Sequence, residues 1–190
     1  MDAPVPTEYS LALATQDDVR ALTEHWTREV LDNGEDGLFF SPYEPDEDAR
    51  PATPDRIEAI ARAFARPITE PHWQRTWVLR HKEHGHRVLG SLSLYGGRLL
   101  SELHRAGLGM GIEREHRGKR IGTAMVQRAV DWARAQGSLA WIDLGVFAMN
   151  ARARALYKRF GFIEVSERRD AFRVRGVSIT DVNMTLALER

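Results

Sequence analysis

The chain has 190 residues, with 27 Lys and Arg balanced by 27 Asp and Glu, 43% apolar residues and no cysteine. That length can bury one domain's core, and the missing cysteine excludes disulfides, thiol catalysis and cysteine-ligated zinc. No apolar run approaches the ~18 residues of a membrane span, and the acidic opening MDAPVPTEYS lacks the basic and apolar regions of a secretory signal, so a single cytoplasmic domain over residues 1–190 is expected.

Tyr9 to Ala14 alternates and predicts a first strand, with Thr15 and Asp17 offering a helix start. A helix follows over 16–31, with Val19, Leu22, Trp26 and Val30 on its apolar face. The stretch DNGEDGLFFSPYEPDEDARPATP (32–54) is rich in Gly, Pro and acid and reads as a long, functional loop. Thr53 as N-cap and Pro54 at the first helical position open a short helix over 53–64. Two strands surround a turn at His84-Gly85, the second alternating through Val88, Gly90, Leu92 and Leu94. LHRAGLGMGI (103–112) is a further strand in which Leu108, Met110 and Ile112 alternate with Gly107, Gly109 and Gly111. A helix over 121–136, an apolar strand over 140–148, a helix over 150–160 stopped by Gly161, and strands near 162–168 and 177–188 complete a mixed α/β sheet.

Charge is divided along the chain. Residues 1–60 hold fifteen acids and four Lys or Arg; residues 61–190 hold twelve acids and twenty-three Lys or Arg. Such a division suits a basic region facing an anion and an acidic region favouring a cation, and equally two solvated faces in balance. The basic region has a focus at HRGKRIGTAM (116–125), between a strand and a helix. Backbone N–H groups at a helix start lack internal partners, and the helix dipole adds positive potential. Gly118 and Gly122 let the backbone wrap closely, while Arg117, Lys119 and Arg120 supply formal charge. The combination suits a phosphate or pyrophosphate cradle. It is not a P-loop, which would need Gly and Ser/Thr where Glu113 and Arg120 stand. It is not a dinucleotide fingerprint either, because the Gly-x-Gly lies inside a strand. On the helix over 150–160, Asn150, Ala153, Arg154 and Tyr157 share one face at i, i+3, i+4 and i+7.

The two stretches together resemble the GNAT superfamily of acetyl-coenzyme A-dependent N-acetyltransferases. Arg117-Gly118-Lys119-Arg120-Ile121-Gly122 is similar to the family's Gln/Arg-x-x-Gly-x-Gly/Ala, with Arg120 where glycine is expected and hence a less tight turn expected there. NARARALYKRFGF (150–162) matches the family's Asn-x-x-Ala-x-x-Leu-Tyr-x-x-x-Gly-Phe element. LHRAGLGMGI, RDAFRVRG and DVNMTLAL resemble the bacterial branch acting on amino acids, peptide amines or polyamines, except that Gly107 stands where that branch often has Glu.

The resemblance implies a GNAT fold, a mostly antiparallel sheet flanked by helices and splayed between its fourth and fifth strands, with acetyl-CoA as acyl donor and no metal. Met110, Gly111 and Ile112 would border the pantetheine, with backbone groups of Met110 and Ile112 bonding its amides. Arg117, Gly118, Lys119, Arg120, Ile121, Gly122 and Thr123 would hold the pyrophosphate, beside Asn150, Ala153 and Tyr157. Tyr157 would serve as general acid to the departing thiolate, with a backbone N–H near 112 holding the oxyanion. An alkylamine with pKa near ~10 must lose a proton before it attacks, and Glu102 and His104 are the candidate bases. Phe39, Phe40 and Tyr43 are candidates for an acceptor pocket, and the acidic loop for the rim of its mouth. His81, His84 and His86 read as turn residues rather than metal ligands. The expected partner is a small amine (an amino acid, polyamine or similar), with a homodimer compatible and neither nucleic acid nor membrane expected. A protein N-terminal or lysine acetyltransferase, and a non-catalytic acyl-CoA-binding sensor or scaffold, remain the alternatives.

Overall fold

The computed structural model describes residues 5–188. Its strands are β1 (Tyr9–Leu13), β2 (Gln74–His81), β3 (Gly90–Gly96), β4 (Arg105–Ile112), β5 (Trp141–Phe147), β6 (Ile163–Val174) and β7 (Val177–Ala187). Its helices are α1 (Val19–Asp32), α2 (Pro45–Asp48), α3 (Pro54–Ala65), α4 (Ile121–Ala135) and α5 (Ala151–Arg159). One sheet carries the seven strands in the order β1-β2-β3-β4-β5-β7-β6. Every neighbouring pair is antiparallel except β4 and β5.

Local chemistry explains the helix ends. The Thr53 hydroxyl accepts the Arg56 N–H at the start of α3, and the Asn150 side chain accepts the Ala153 N–H at 3.2 Å at the start of α5. Each cap satisfies one of the donors a helix leaves unpaired. Gly161 ends α5 with φ at +91°, a conformation that costs glycine nothing.

The sheet has two unlike faces. One is apolar: Leu92, Leu94, Leu108, Ile142, Leu144 and Val146 join Met125, Val126, Ala129 and Ala133 of α4 in one core. Each large side chain buried there contributes about 1.5–3 kcal/mol. The other face lies under α1 and is more polar, with a smaller cluster of Leu22, Val78 and Val88 backed by Trp26 and Phe64.

Two expectations need correction. The strand expected near 162–168 runs on to Val174, with register shifts between Glu164 and Ser166 and between Arg168 and Phe172. It is an edge strand largely exposed on both sides, so its polar SERRD segment carries no burial pattern to read. The expected loop after α1 contains the single turn of α2. No helix among the described residues is long and apolar enough to cross a membrane.

Candidate active site

The site begins where strand pairing stops. β4 and β5 pair only from Arg105 to Gly107 against Trp141 to Asp143. Beyond Gly107, β4 keeps its ladder with β3 as far as Ile112 but parts from β5. The wedge opens into a cavity of about 940 Å³. Its wall takes in β4 from Leu108 to Ile112, β5 from Gly145 to Phe147, the start of α4 and one face of α5. Leu38 and Phe40 line it from the segment after α1.

At the start of α4 the backbone turns through two left-handed residues, Gly118 at φ +88° and Arg120 at φ +62°. Arg120 therefore holds the conformation for which the family pattern uses glycine, at a strain of roughly 1–2 kcal/mol. The turn is not loosened, as the sequence had suggested. A Cβ on Gly122 would meet Leu156 at 3.3 Å and Met110 at 3.6 Å, so glycine lets helix and strand approach closely. The unpaired N–H groups of a helix start, the inward-facing Gly118, Gly122 and Thr123, and the nearby cations fit the diphosphate and pantetheine of acetyl-CoA.

The cations divide their labour. The Arg117 guanidinium donates from Nε to the Ile112 carbonyl at 2.7 Å, reaches Asp32 at 3.5 Å, and stacks on Phe40 at 5.0 Å. It ties the strand end to the segment after α1. Lys119 donates to the Tyr9 hydroxyl at 2.9 Å, and Tyr9 pairs with His116 Nδ1 at 2.8 Å. Lys119 is thus outside the cavity wall, whereas Arg120, Ile121 and Thr123 are in it.

On α5, Asn150 and Ala153 border the cavity, and Asn150 is at the same time the helix cap. Arg154 turns away to Glu164 at 2.8 Å and the Ala148 carbonyl at 3.1 Å. Tyr157 packs in the apolar core and lines the cavity. Burial pushes its phenol up to about 12, so it keeps its proton at neutral pH.

Glu102 and His104 lie elsewhere. The Glu102 carboxylate accepts the N–H groups of Arg98 and Leu99 at 3.0 and 3.3 Å, closing a short turn. His104 is exposed, and its carbonyl accepts from Ala140 and Trp141. Neither lines the cavity. The loop aromatics also part company: Phe39 is buried against Phe147, Val174 and Ile179, Phe40 faces the cavity, and Tyr43 is exposed. Four acids of this stretch are held in contacts: Asp32 and Asp36 with Arg114, Glu35 with Arg175, and Glu44 with the Arg175 N–H. These four fasten the loop.

The sequence reading missed a polar cluster under α1. Its apolar stripe is interrupted by His25, which is fully buried, and Glu29 follows one turn later. His25 Nε2 lies 3.3 Å from Glu29 Oε2, and His25 Nδ1 lies 3.5 Å from Glu113 Oε1. Glu29 lines the cavity, its Oε1 is buried, and that oxygen has no hydrogen-bond partner. Burial raises the Glu29 pKa above its ordinary value despite His25 and Arg117. Glu113 goes the other way: burial opposes its charge, but His25 beside it and hydrogen bonds from Arg28 and Arg87 outweigh that and hold it at about 2. A His and a Glu spaced i, i+4 on the buried side of an amphipathic helix were the available signal.

Residues 37–162 match the model of the acetyltransferase (GNAT) family. No curated protein is similar enough in sequence to match. Among solved structures, a GNAT-family acetyltransferase from Streptococcus pneumoniae superposes with a TM-score of 0.80 at 18% identity, covering 96% of this chain and 100% of that one. Salmonella typhimurium yncA, solved with its cofactor acetyl-CoA, gives 0.75 at 19% identity, with 97% and 96% covered. The spermidine N-acetyltransferase of Vibrio cholerae, in complex with CoA and spermine, gives 0.67 at 20% identity, with 96% of each chain covered. The splayed strands, the glycine-bearing helix entry and the family match converge: the chain belongs to the GNAT family of N-acetyltransferases, whose acyl donor is acetyl-CoA.

Proposed function

We propose that the protein transfers the acetyl group of acetyl-CoA to the primary amine of a small molecule, an amino acid, polyamine or similar compound. The observation that carries this reading is the segment after α1, which lines one side of the cavity and is tied down at several points. The segment after α1 brings Leu38 and Phe40 over the wedge. It is held there by the Arg114 and Arg175 ion pairs and by Asn33, which bonds the backbone of Phe40, Ser41 and Tyr43. A roof fastened at so many points suits a compact acceptor better than an extended peptide, which needs an open groove. The spermidine enzyme of Vibrio cholerae shares the fold; at 20% identity it does not name the acceptor of this chain.

Bound acetyl-CoA supplies an activated thioester. In this reading the backbone of Met110, Gly111 and Ile112 aligns the pantetheine, and the turn from Arg117 to Thr123 neutralises the diphosphate with backbone donors and Arg120. Asn150 and Ala153 border the same channel. Tyr157 donates a hydrogen bond to the departing sulfur. A phenol held near 12 is too weak an acid to end as tyrosinate beside a thiol of pKa about 8.5, so its part is to stabilise developing charge while the proton itself arrives from the amine. The test is thiol release from acetyl-CoA with amino acids, polyamines, aminoglycosides and short peptides. Turnover with a small amine and none with peptides is expected; the reverse overturns the reading.

A further inference from the structure

The glycine face of β4 holds an arrangement that the family match leaves unassigned. Of its three glycines, Gly107 lies under the Tyr95 ring, and Gly109 has open space where a Cβ would stand. Gly111 lies under the Glu29 carboxylate, so that a Cβ there would collide with it. Among the described residues lining the cavity, Glu29 is the one carboxylate. It sits across the strand from Tyr157, which belongs to the apolar face. An amine entering over Gly109 would therefore have a phenol ahead of it and a carboxylate beside it.

We propose that Glu29 takes the proton that the acceptor ammonium must lose, and that His25 receives that proton in turn. This rests on the amine acetyltransferase reading above. The charged groups facing Glu29 are His25 and Arg28 from its own helix, and Glu113 and Arg117 from the connection between β4 and α4. Glu113 is held as an anion by Arg28 at 2.9 Å and Arg87 at 2.8 Å. Its charge, 3.5 Å from Nδ1, favours the tautomer of His25 with hydrogen on Nδ1, so that Nε2, 3.3 Å from Glu29 Oε2 and without a hydrogen-bond partner, can accept a proton once Glu29 carries one. The balance is complete. One proton of the ammonium moves to the Glu29 carboxylate, whose Oε2 faces His25 Nε2 at 3.3 Å and passes the proton to that nitrogen; after the product departs it returns through Glu29, which lines the cavity, to solvent. The nitrogen lone pair forms the N–C bond, the C–S bond breaks with its electron pair on sulfur, and the second nitrogen-bound proton goes to that sulfur. A carboxylate short of hydrogen bonds, seated by the absence of a side chain at 111, is a stronger base than a solvated one. Glu29 is the catalytic residue here; His25, which acts through it, is a positioning residue.

Three measurements on the full chain test this. Glu29→Gln should lower kcat/KM for the best small amine at pH 7 by about 10²–10⁴-fold, while acetyl-CoA affinity by calorimetry stays within about twofold. The variant's rate should then climb toward the wild type as pH approaches the amine's own pKa near ~10, and His25→Ala should shift the acidic limb of the wild-type profile. Without any acetyl-CoA, the carboxyl signal that Glu29→Gln removes from a ¹³C spectrum should titrate above an ordinary glutamate. A variant as fast as wild type at pH 7, an equal loss at every pH, or an ordinary Glu29 titration each overturns the proposal. Wild-type protein inert toward every small amine overturns the substrate reading instead, while the carboxyl titration still decides whether Glu29 is the perturbed base.

Discussion

The two faces of β4 are built by opposite rules. Toward α4 the strand presents Leu108, Met110 and Ile112, which pack into the same core as Ile121 and Met125. Toward α1 it presents Gly107, Gly109 and Gly111 and borrows its side chains from other elements, Tyr95 from β3 and Glu29 from α1. On the first face, function and stability share the same atoms, because the strand that aligns the cofactor is also core. On the second, glycine clears a place and chemistry arrives from 82 positions earlier in the chain. Because successive side chains of a strand point to opposite faces, one short segment can be a core strand and a reaction floor together.

That contrast can be broken from either side. The largest expected effect is at the chemistry: Tyr157→Phe should lower kcat by about 10²–10⁴-fold with little change in the affinity for acetyl-CoA, since the hydroxyl acts as charge develops on sulfur. Steady-state kinetics and calorimetry separate the two. A normal kcat would reduce Tyr157 to a packing residue.

Next comes the apolar face itself. Met125 is fully buried, and Met125→Ala should cost about 2–5 kcal/mol of stability, measured by denaturant unfolding. Its kcat at a temperature where it stays folded should be near that of wild type.

The carboxylates either side of His25 should respond to pH with opposite sign. The Glu113 carboxyl is held at about 2 in the folded chain, so the stability it contributes is complete above the ordinary glutamate range and lost as pH falls toward 2. Glu29 is raised. The fold binds its proton more tightly than the unfolded chain does, and stability falls as pH rises through its folded pKa. Accordingly Glu113→Gln should lose about 1–3 kcal/mol at pH 7, whereas Glu29→Gln should lose nothing or gain. Melting curves from pH 3 to 8 check both signs.

At the entry to α4, Gly122→Asp adds bulk against Leu156 and a negative charge at the cradle. It should weaken acetyl-CoA binding by at least about tenfold, or roughly 1.4 kcal/mol; an unchanged Kd in a folded variant would move the diphosphate elsewhere. The smallest effect is expected at Arg120. Glycine there relieves the left-handed strain but frees the unfolded chain, so Arg120→Gly should change stability by less than about 1 kcal/mol while slightly weakening acetyl-CoA through the lost charge.

Much of this molecule is written locally. The Thr53-Pro54 start of α3, the Asn150 cap of α5, the stop at Gly161 and the alternation of Leu108, Met110 and Ile112 each depend on contacts within a few residues, so the sequence alone determined the order of elements apart from α2 and the basic entry to α4, while the splay was implied by the family resemblance. What it could not determine depends on who meets whom across the sheet. Phe39 and Phe40 are neighbours with identical side chains, yet one enters the core and the other the cavity, because what surrounds each is set by distant elements, Phe147, Val174 and Ile179 for the first and the wedge for the second. Glu102 and His104 looked suited to catalysis by chemical type and closeness to β4, but the first is spent on a turn and the second on the surface. Asp32, Glu35 and Asp36 read as acids of a charged loop, yet Arg114 and Arg175, more than 70 positions later, pair with them and tie the loop down. Glu29 and His25 looked like ordinary polar residues of an amphipathic helix. Their burial against Gly111 and Glu113 exists only after β4 and α1 pack, and desolvation, which makes a carboxylate basic, is a property of that packing and not of the residue.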